Sequence, residues 1–510
     1  MPRDRVIGIC PRSLRSPGLG LLLAVAGPAV AAHAQPQESS PAVDEAMVDS
    51  IVSVLMRRYD VPGLGLALVR DRDVVLVKGY GIEGARTGRP VTARTVFSTG
   101  SLSKSVTAAV ALRMTESGGL DLDAPVTGYL SPTGTFRGFD GLTLRHLLSH
   151  TSGYPPLPEW PLSTRREIVE RLATVERPSG PGASWAYSNQ NFILAGYVLE
   201  SVAGRPYEEL ARALLLDPLG MEHQSFGVAG LRSSEHAVPH RLDVLRGQVP
   251  VDYEGHLDPW SPSGGLNLSA EDLGRYVGFQ LTGLDREGRS LLSLESMAEM
   301  HRPHATALSR ERFRTLPVED PGYALGWYTS RYRDLQILEH TGNLNGFTAS
   351  IVLVPAAGAG VGMLTNGDHA DGFVTAAEFS LLERLLELEP LHDVEAWVNE
   401  RSGFDPEERR RRLEAARSFA GDRRGWSALT GTYEPPGGRG PRIRIELAGS
   451  GLRLHAEGMF TLDLVPFEPN GFLANSLPAV GVAFRFEASE DGSVRLLGEG
   501  QLLAIKAPRS

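Results

Sequence analysis

The chain has 510 residues, of which 42% are hydrophobic and 22% charged, and a formal net charge of -10. Such a length exceeds what one hydrophobic core holds and points to two or three domains. The ordinary apolar fraction excludes a disordered or collagen-like chain. The acidic balance excludes a general polyanion binder, whose affinity would rest on basic patches, so nucleic acid is not an expected partner.

The first residues carry Arg3, Arg5, Arg12 and Arg15, then an apolar stretch over 18–31, then Ala32-His33-Ala34. This order predicts a secretory signal peptide over 1–34 and an exported protein, periplasmic or secreted. The apolar run is short for a membrane anchor and is broken by Pro28, so no stable span is expected after cleavage. Cys10, the sole cysteine, would leave with the peptide. No disulfide is then expected in the mature chain.

Met47, Ile51 and Leu55, beside Val48, Val52 and Met56, recur at helical spacing and predict a core-facing helix that ends near Asp60. Leu64 to Val69 and Val74 to Val77 predict two strands around the polar turn Asp71-Arg72-Asp73. A further helix is expected from Ser103 to Met114, stopped by Gly118-Gly119. Helical patterns continue to about residue 280, and strands are expected again near Gly322 to Trp327, Leu335 to Leu338 and Ala349 to Val354. Strands at both ends of a helical middle predict an α/β (α+β) domain over 43–388, with its first and last segments in one sheet. Residues 389–425 read as a charged helical linker, in which Glu407 to Arg412 suggests a solvated helix. Beyond it, 426–510 contains short alternating runs spaced by Gly, Asn and Asp, the pattern of a small all-β sandwich or barrel.

Only three of the 51 basic residues are lysines, Lys78, Lys104 and Lys506. Arginine keeps its proton in proteins, whereas a desolvated lysine can lose it and act as a base. Lys104 follows Ser101 by three residues where a loop enters a helix, so its amine can reach the serine hydroxyl and activate it as a nucleophile. The same spacing also describes a helix cap followed by an exposed lysine. In Tyr187-Ser188-Asn189, a phenol beside an ammonium could relay a proton to a leaving group. Asn189 could donate to a substrate carbonyl and accept from Lys104. In His340-Thr341-Gly342, a strand edge could border the pocket, with the glycine permitting close approach. The N–H groups of Ser101 and Asn343 would then form an oxyanion hole.

In this order the three elements resemble the serine β-lactamase and penicillin-binding superfamily, whose signature pairs S-x-x-K with two later motifs. The chain is most similar to the class C β-lactamase and D-alanyl-D-alanine carboxypeptidase branch, in which a tyrosine stands in the middle motif. Leu144 to Gly153, Pro218-Leu219-Gly220-Met221, Ser263-Gly264-Gly265-Leu266 and Gly326-Trp327 fit that branch too. The resemblance implies an antiparallel sheet flanked by helices with a helical subdomain. It also implies a hydrolase that forms an acyl-enzyme on Ser101, with Lys104 and Tyr187 sharing the proton transfers and Asn189, His340, Thr341, Gly342 and Asn343 binding substrate. From Trp426 on, the chain resembles the lipocalin-like β domain often appended to such hydrolases.

His340 departs from the lysine of typical β-lactamases of this branch and gives less fixed positive charge for a substrate carboxylate. Expected substrates are therefore small-molecule or peptide acyl compounds, D-amino-acid peptides or esters before β-lactam-like amides. An esterase or a true class C-like β-lactamase is the enzyme alternative, and a penicillin- or peptidoglycan-binding sensor or scaffold the non-enzymatic one. No cofactor or metal is expected: His146 and His150 have the i, i+4 spacing of a zinc pair, but Leu147 stands where a metalloprotease needs glutamate. Ser269 and Asp272 read as a helix N-cap pair.

Overall fold

The computed structural model describes residues 43–507 apart from 72, 131–135, 254, 308–317, 369, 391–392, 403–404, 420–422, 439 and 476–478. The expected leader over 1–34, with Cys10, lies outside the described residues. Helix α1, Glu45–Tyr59, starts where the Asp44 carboxylate accepts the Met47 N–H. Its Val48, Val52, Leu55, Met56 and Tyr59 are buried, and Asp60 ends it in the left-handed conformation at φ 58°. Met47 and Ile51 are only half-buried, so the inward stripe is narrower than the apolar one.

Eight strands form the central sheet: β1 Gly63–Arg70, β2 Asp73–Gly81, β3 Ala305–Thr306, β4 Glu319–Tyr323, β5 Tyr328–Tyr332, β6 Leu335–Leu344, β7 Phe347–Val354 and β8 Ala359–Thr365. Their order is β2-β1-β8-β7-β6-β5-β4-β3, and the pairs are antiparallel. The first and last segments of the domain do meet, with Leu64 opposite Thr365. The strand expected near Gly322 to Trp327 is instead two strands around a turn, closed by an Ala324 N–H to Trp327 carbonyl bond of 2.8 Å. Gly326, at φ 76°, lets this turn lie against a helix: a Cβ there would stand 2.8 Å from the Lys104 carbonyl oxygen.

That helix is α2, Ser103–Glu116, in which every residue from Ser103 to Leu112 is buried. Its Ala108, Ala109 and Ala111 leave room for neighbours on all sides, as a helix enclosed by protein requires. Around it pack α3, Asn189–Ala203, and α4, Ala270–Thr282, on one side of the central sheet. On the other side, α1 and α5, Asp371–Leu385, cover Leu64, Leu66, Leu68, Val361 and Met363.

After α6, Pro406–Ser418, come eight further strands: β9 Gly431–Tyr433, β10 Ile443–Ala448, β11 Gly451–Ala456, β12 Phe460–Glu468, β13 Gly471–Ala474, β14 Ala483–Ala488, β15 Val494–Gly498 and β16 Gln501–Lys506. They neighbour one another in chain order, and two backbone bonds of 2.9 Å between Glu434 and Ile505 bring the last strand back to the first. The result is a nearly closed antiparallel barrel whose interior is filled by Trp426, Tyr433, Phe472, Phe486 and other apolar side chains. The charged run over 407–412 is not wholly solvated. Helix α6 lays Leu413 and Ala416 on the outer wall of the barrel beside Val465, Phe467 and Leu473. Leu242 and Val244, from the hairpin formed by His240–Asp243 and Gly247–Pro250, join the same contact. Among the described residues no helix is long and apolar enough to cross a membrane.

Candidate active site

Gly100 turns the chain at φ 53° and leads Ser101 through a short 3-10 turn, Gly100–Leu102, into α2. The turn is pinned from both ends. Thr99 gives its N–H and hydroxyl to the Leu266 carbonyl at 3.0 and 2.7 Å, and the Leu266 N–H binds the Ser103 hydroxyl at 3.1 Å. One helical turn on, Lys104 Nζ stands 2.8 Å from Ser101 Oγ and 2.8 Å from the Ser263 carbonyl oxygen. Lys104 is fully buried, and loss of solvation pushes its pKa well below the usual lysine value; the Glu159 carboxylate opposes this shift. An amine whose burial favours its neutral form, hydrogen-bonded to a half-exposed hydroxyl, is the arrangement a serine nucleophile needs.

Tyr187 lies beside this pair, with Lys104 Nζ 4.9 Å from its ring centroid. Asn189 opens α3 and directs Nδ2 toward Glu159 Oε1 at 3.5 Å. The Lys104 to Asn189 bond anticipated from sequence is absent: Asn189 Oδ1 is buried with no hydrogen-bond partner among the described residues. Lys104 uses the Ser263 carbonyl in its place.

His340, Thr341 and Gly342 fall inside β6 rather than between strands. The β6–β7 hairpin closes on Asn345-Gly346, with Leu344 opposite Phe347 and Asn343 opposite Thr348. Bonded and non-bonded pairs alternate along an antiparallel ladder, so the N–H groups of Thr341 and Asn343 turn away from β7, on the side of β6 that runs on past its last pair with β5, Glu339 opposite Tyr328. That side runs against the nucleophile turn. A Cβ on Gly342 would stand 2.0 Å from the Thr99 carbonyl oxygen and 2.7 Å from the Ser101 nitrogen, and one on Gly100 would be 3.1 Å from the Asn343 nitrogen. Glycine at 342 is therefore a steric requirement. The Asn343 side chain is bound elsewhere, to Asp371 at 3.0 Å and Thr348 at 2.9 Å, leaving its backbone N–H as the group near the site.

His340 lies on the same face of β6 as Gly342 and is buried among Tyr187, Tyr323 and Tyr328. Its Nδ1 lies 2.7 Å from the Thr341 carbonyl, which can only accept, and its Nε2 lies 3.3 Å from the Tyr323 hydroxyl. It presents no exposed cation to a substrate carboxylate.

Three features escaped the sequence reading. The Ser263 carbonyl comes from a short helix, Ser261–Gly264, whose Ser263-Gly264-Gly265-Leu266 run carried no catalytic assignment, and the Glu159 carboxylate from a loop with no local signal of its own. The third is His150, which lies under Tyr187 rather than pairing with His146, whose Nδ1 contacts Thr143 at 2.9 Å. Among the described residues no group of three or more His, Cys, Asp or Glu could hold a metal ion. Ser269 does cap α4 through the Asp272 N–H at 3.1 Å, while the Asp272 carboxylate binds the N–H groups of Glu222 and His223. Beside the nucleophile turn a shallow cleft is lined by Ser98, Tyr253, Gly264, Asn267, Leu344 and Phe347, among others.

A Ser-x-x-Lys pair heading a buried helix, set against strand β6 of an antiparallel sheet, places the protein in the serine β-lactamase and penicillin-binding superfamily. The profile of the Beta-lactamase family matches residues 48–385, and the chain belongs to that family. Protein flp of Staphylococcus aureus (strain MW2) is 25% identical over 331 residues, 62% of this chain and 62% of that protein. The chain thus spans about 62% of the length of the flp relatives it matches. Unguisins hydrolase ungD' of Aspergillus campestris (strain IBT 28561) is 24% identical over 376 residues, 69% of this chain and 67% of that one. Among solved structures, the octameric penicillin-binding protein homologue from Pyrococcus abyssi has 24% identity and a TM-score of 0.56, covering 91% of this chain and 100% of its own. SurE has 25% identity and a TM-score of 0.57, covering 91% and 98%. A class C beta-lactamase, at 22% identity and a TM-score of 0.56, covers 68% and 97%. The first two likenesses extend beyond the part of the chain that the class C enzyme spans.

Proposed function

We propose that the protein is a serine hydrolase that cleaves D-amino-acid peptides or esters through an acyl-enzyme on Ser101. The observation that carries this reading is the 2.8 Å contact between Ser101 Oγ and the fully buried Lys104 amine. Neutral Lys104 takes the hydroxyl proton as Oγ bonds to the carbonyl carbon. The negative charge that develops on the carbonyl oxygen is held by the N–H groups of Ser101 and Asn343. Collapse of the tetrahedral species breaks the bond to the leaving nitrogen or oxygen, which takes a proton from Lys104 by way of Tyr187. Water then attacks the acyl carbon, its proton passes through the same groups to Ser101 Oγ as the bond to Oγ breaks, and the acid is freed.

The buried, internally bonded His340 argues for such substrates ahead of β-lactams, whose carboxylate favours a fixed cation. Two likenesses lend support: a relative named as a hydrolase of unguisins, and a SurE structure that contains D-Leu. The motif order of residues 1–34 extends the proposal to an exported enzyme, which amino-terminal sequencing of the secreted or periplasmic protein would test.

The central test is labelling with a fluorescent phosphonate alongside turnover of nitrocefin, D-alanyl-D-alanine peptides and p-nitrophenyl esters. Wild-type protein should label stoichiometrically and Ser101→Ala not at all. Full labelling of the variant would end the assignment of the nucleophile. Fast nitrocefin turnover with inert peptides and esters would replace the substrate class.

A further inference from the structure

His150 is a buried titratable group beside Lys104 and Tyr187 that the proposed chemistry leaves without a task. It follows the short helix Leu144–Leu148 and holds the left-handed backbone conformation at φ 57°, rare for a residue with a side chain. Its main chain reaches the middle motif through its carbonyl, which accepts the Ala186 N–H at 2.9 Å. Its ring reaches the same segment, because Nδ1 accepts the Ser188 N–H at 3.2 Å.

A second donor, Asn191 Nδ2, lies 3.3 Å from that nitrogen, and the amide is oriented by the Ser152 hydroxyl bound to Asn191 Oδ1 at 2.8 Å. Two donors converging on Nδ1 make it an acceptor, so a neutral ring carries its hydrogen on Nε2. That Nε2 is buried and has no partner among the described residues. The ring is therefore held by its Nδ1 bonds and by aromatic contacts: Tyr187 at 4.4 Å between centroids, Tyr323 at 4.8 Å and Phe192 at 5.1 Å. Burial, and after it the nearby Lys104 and His340, hold the imidazole well below its usual pKa. A protonated ring would lose both Nδ1 bonds and place a second cation beside Lys104.

We propose that His150 is the positioning residue of the site: as a neutral acceptor on a left-handed backbone it fixes the Tyr187 ring and the Ser188 N–H relative to Lys104. This rests on the serine hydrolase reading above. An acceptor of fixed direction, a flat surface for the phenol and a backbone turn are supplied by one side chain, which explains why the strained conformation is kept at a residue that cannot touch substrate.

His150→Asn preserves an acceptor and tolerates the left-handed backbone, whereas His150→Gly keeps the backbone and removes the acceptor. With p-nitrophenyl esters, His150→Asn should keep kcat within about threefold and His150→Gly should lose about 30-fold or more with KM changed less than threefold. In a Tyr187→Phe background, His150→Gly should add less than about threefold, because the two changes remove one function. If His150→Gly does not melt cooperatively, Asn191→Asp serves instead. Its carboxylate draws a proton onto Nδ1, turns the acceptor into a donor facing the Ser188 N–H, and should lower kcat about tenfold. Equal activity of the Asn and Gly variants, full additivity with Tyr187→Phe, or an unaffected Asn191→Asp enzyme would each overturn the positioning role. Absence of phosphonate labelling at Ser101 in the wild type would instead mark failure of the hydrolase reading itself.

Discussion

Lys104 Nζ shares its position between Ser101 Oγ and the Ser263 carbonyl oxygen, each 2.8 Å away. The carbonyl can only accept, so it takes one hydrogen of the amine and fixes the nitrogen within reach of the serine hydroxyl, where the neutral form can turn its lone pair to that proton. A residue 159 positions further along the chain thus orients the base.

Lys104→Arg should lower kcat by about 10²–10⁴-fold, the usual worth of a general base, because a guanidinium keeps its proton. Steady-state kinetics with a p-nitrophenyl ester and the rate of phosphonate labelling check this. A variant retaining a tenth of wild-type kcat would exclude Lys104 as the base.

Lys104→Met should leave the protein inactive but more stable, by about 0.5–2 kcal/mol near pH 7, since the buried amine is kept for function at a cost to folding. The sign follows from proton uptake. Lys104 has a lowered pKa when folded, and in the unfolded chain it titrates near about 10.4, so the unfolded state binds the extra proton between those values. Wild-type stability therefore rises with pH through that window, and the variant lacks this contribution. Thermal midpoints of both proteins at pH 7 and in mild alkali measure the difference.

Glu159→Gln should move the acid limb of kcat/KM to lower pH. The Glu159 carboxylate raises the pKa of Lys104 against the larger effect of burial, so its loss lets the amine stay neutral further into acid. A pH profile of ester hydrolysis reads the shift directly, and a limb that stays put or moves up would show that Glu159 does not act on the base.

Gly342→Ala and Asn343→Ala separate backbone from side chain at the β6 edge. The first places a carbon 2.0 Å from the Thr99 carbonyl oxygen and 2.7 Å from the Ser101 nitrogen, so strand and nucleophile turn must part. A loss of about 10²–10³-fold in kcat is expected, the scale of one oxyanion donor. Asn343→Ala keeps the N–H and should cost less than about tenfold. A larger effect from Asn343→Ala would assign its side chain a direct part.

Asn475→Ala tests the join between barrel and catalytic domain. Asn475 Oδ1 accepts the Val244 N–H at 2.7 Å, and Nδ2 donates to Asp243 Oδ2 at 3.3 Å. Losing a part-buried acceptor of this kind costs about 1 kcal/mol locally. Peptide-level hydrogen exchange should show faster exchange across 240–250, and unchanged protection there would refute the clasp.

Much of the fold is legible in the sequence because it is written in local periods. The 3.6-residue stripe of α1, the paired apolar runs of β1 and β2 and the alternating segments after residue 430 each name their element. The misreadings share a cause. Gly322 to Trp327 is apolar enough for a strand, yet the chain must bend at Gly326 to lie on the α2 backbone; Glu407 to Arg412 is charged enough for solvent, yet Leu413 and Ala416 just beyond it bury one face of α6. In both cases a distant segment overrules the local pattern.

At the candidate site the division is equally physical. A three-residue spacing at a helix start, the scarcity of lysine and the two later motifs in order single out the Ser101 and Lys104 pair from sequence, and one helical turn is a fixed distance. Loop closure over tens to hundreds of residues decides the rest: that Ser263 rather than Asn189 holds the amine, that Glu159 lies within reach of its charge, that His340 is buried among Tyr187, Tyr323 and Tyr328, and that His150 turns under Tyr187 instead of toward His146. None of those distances is set by a local period, so only the packed tertiary structure could settle them.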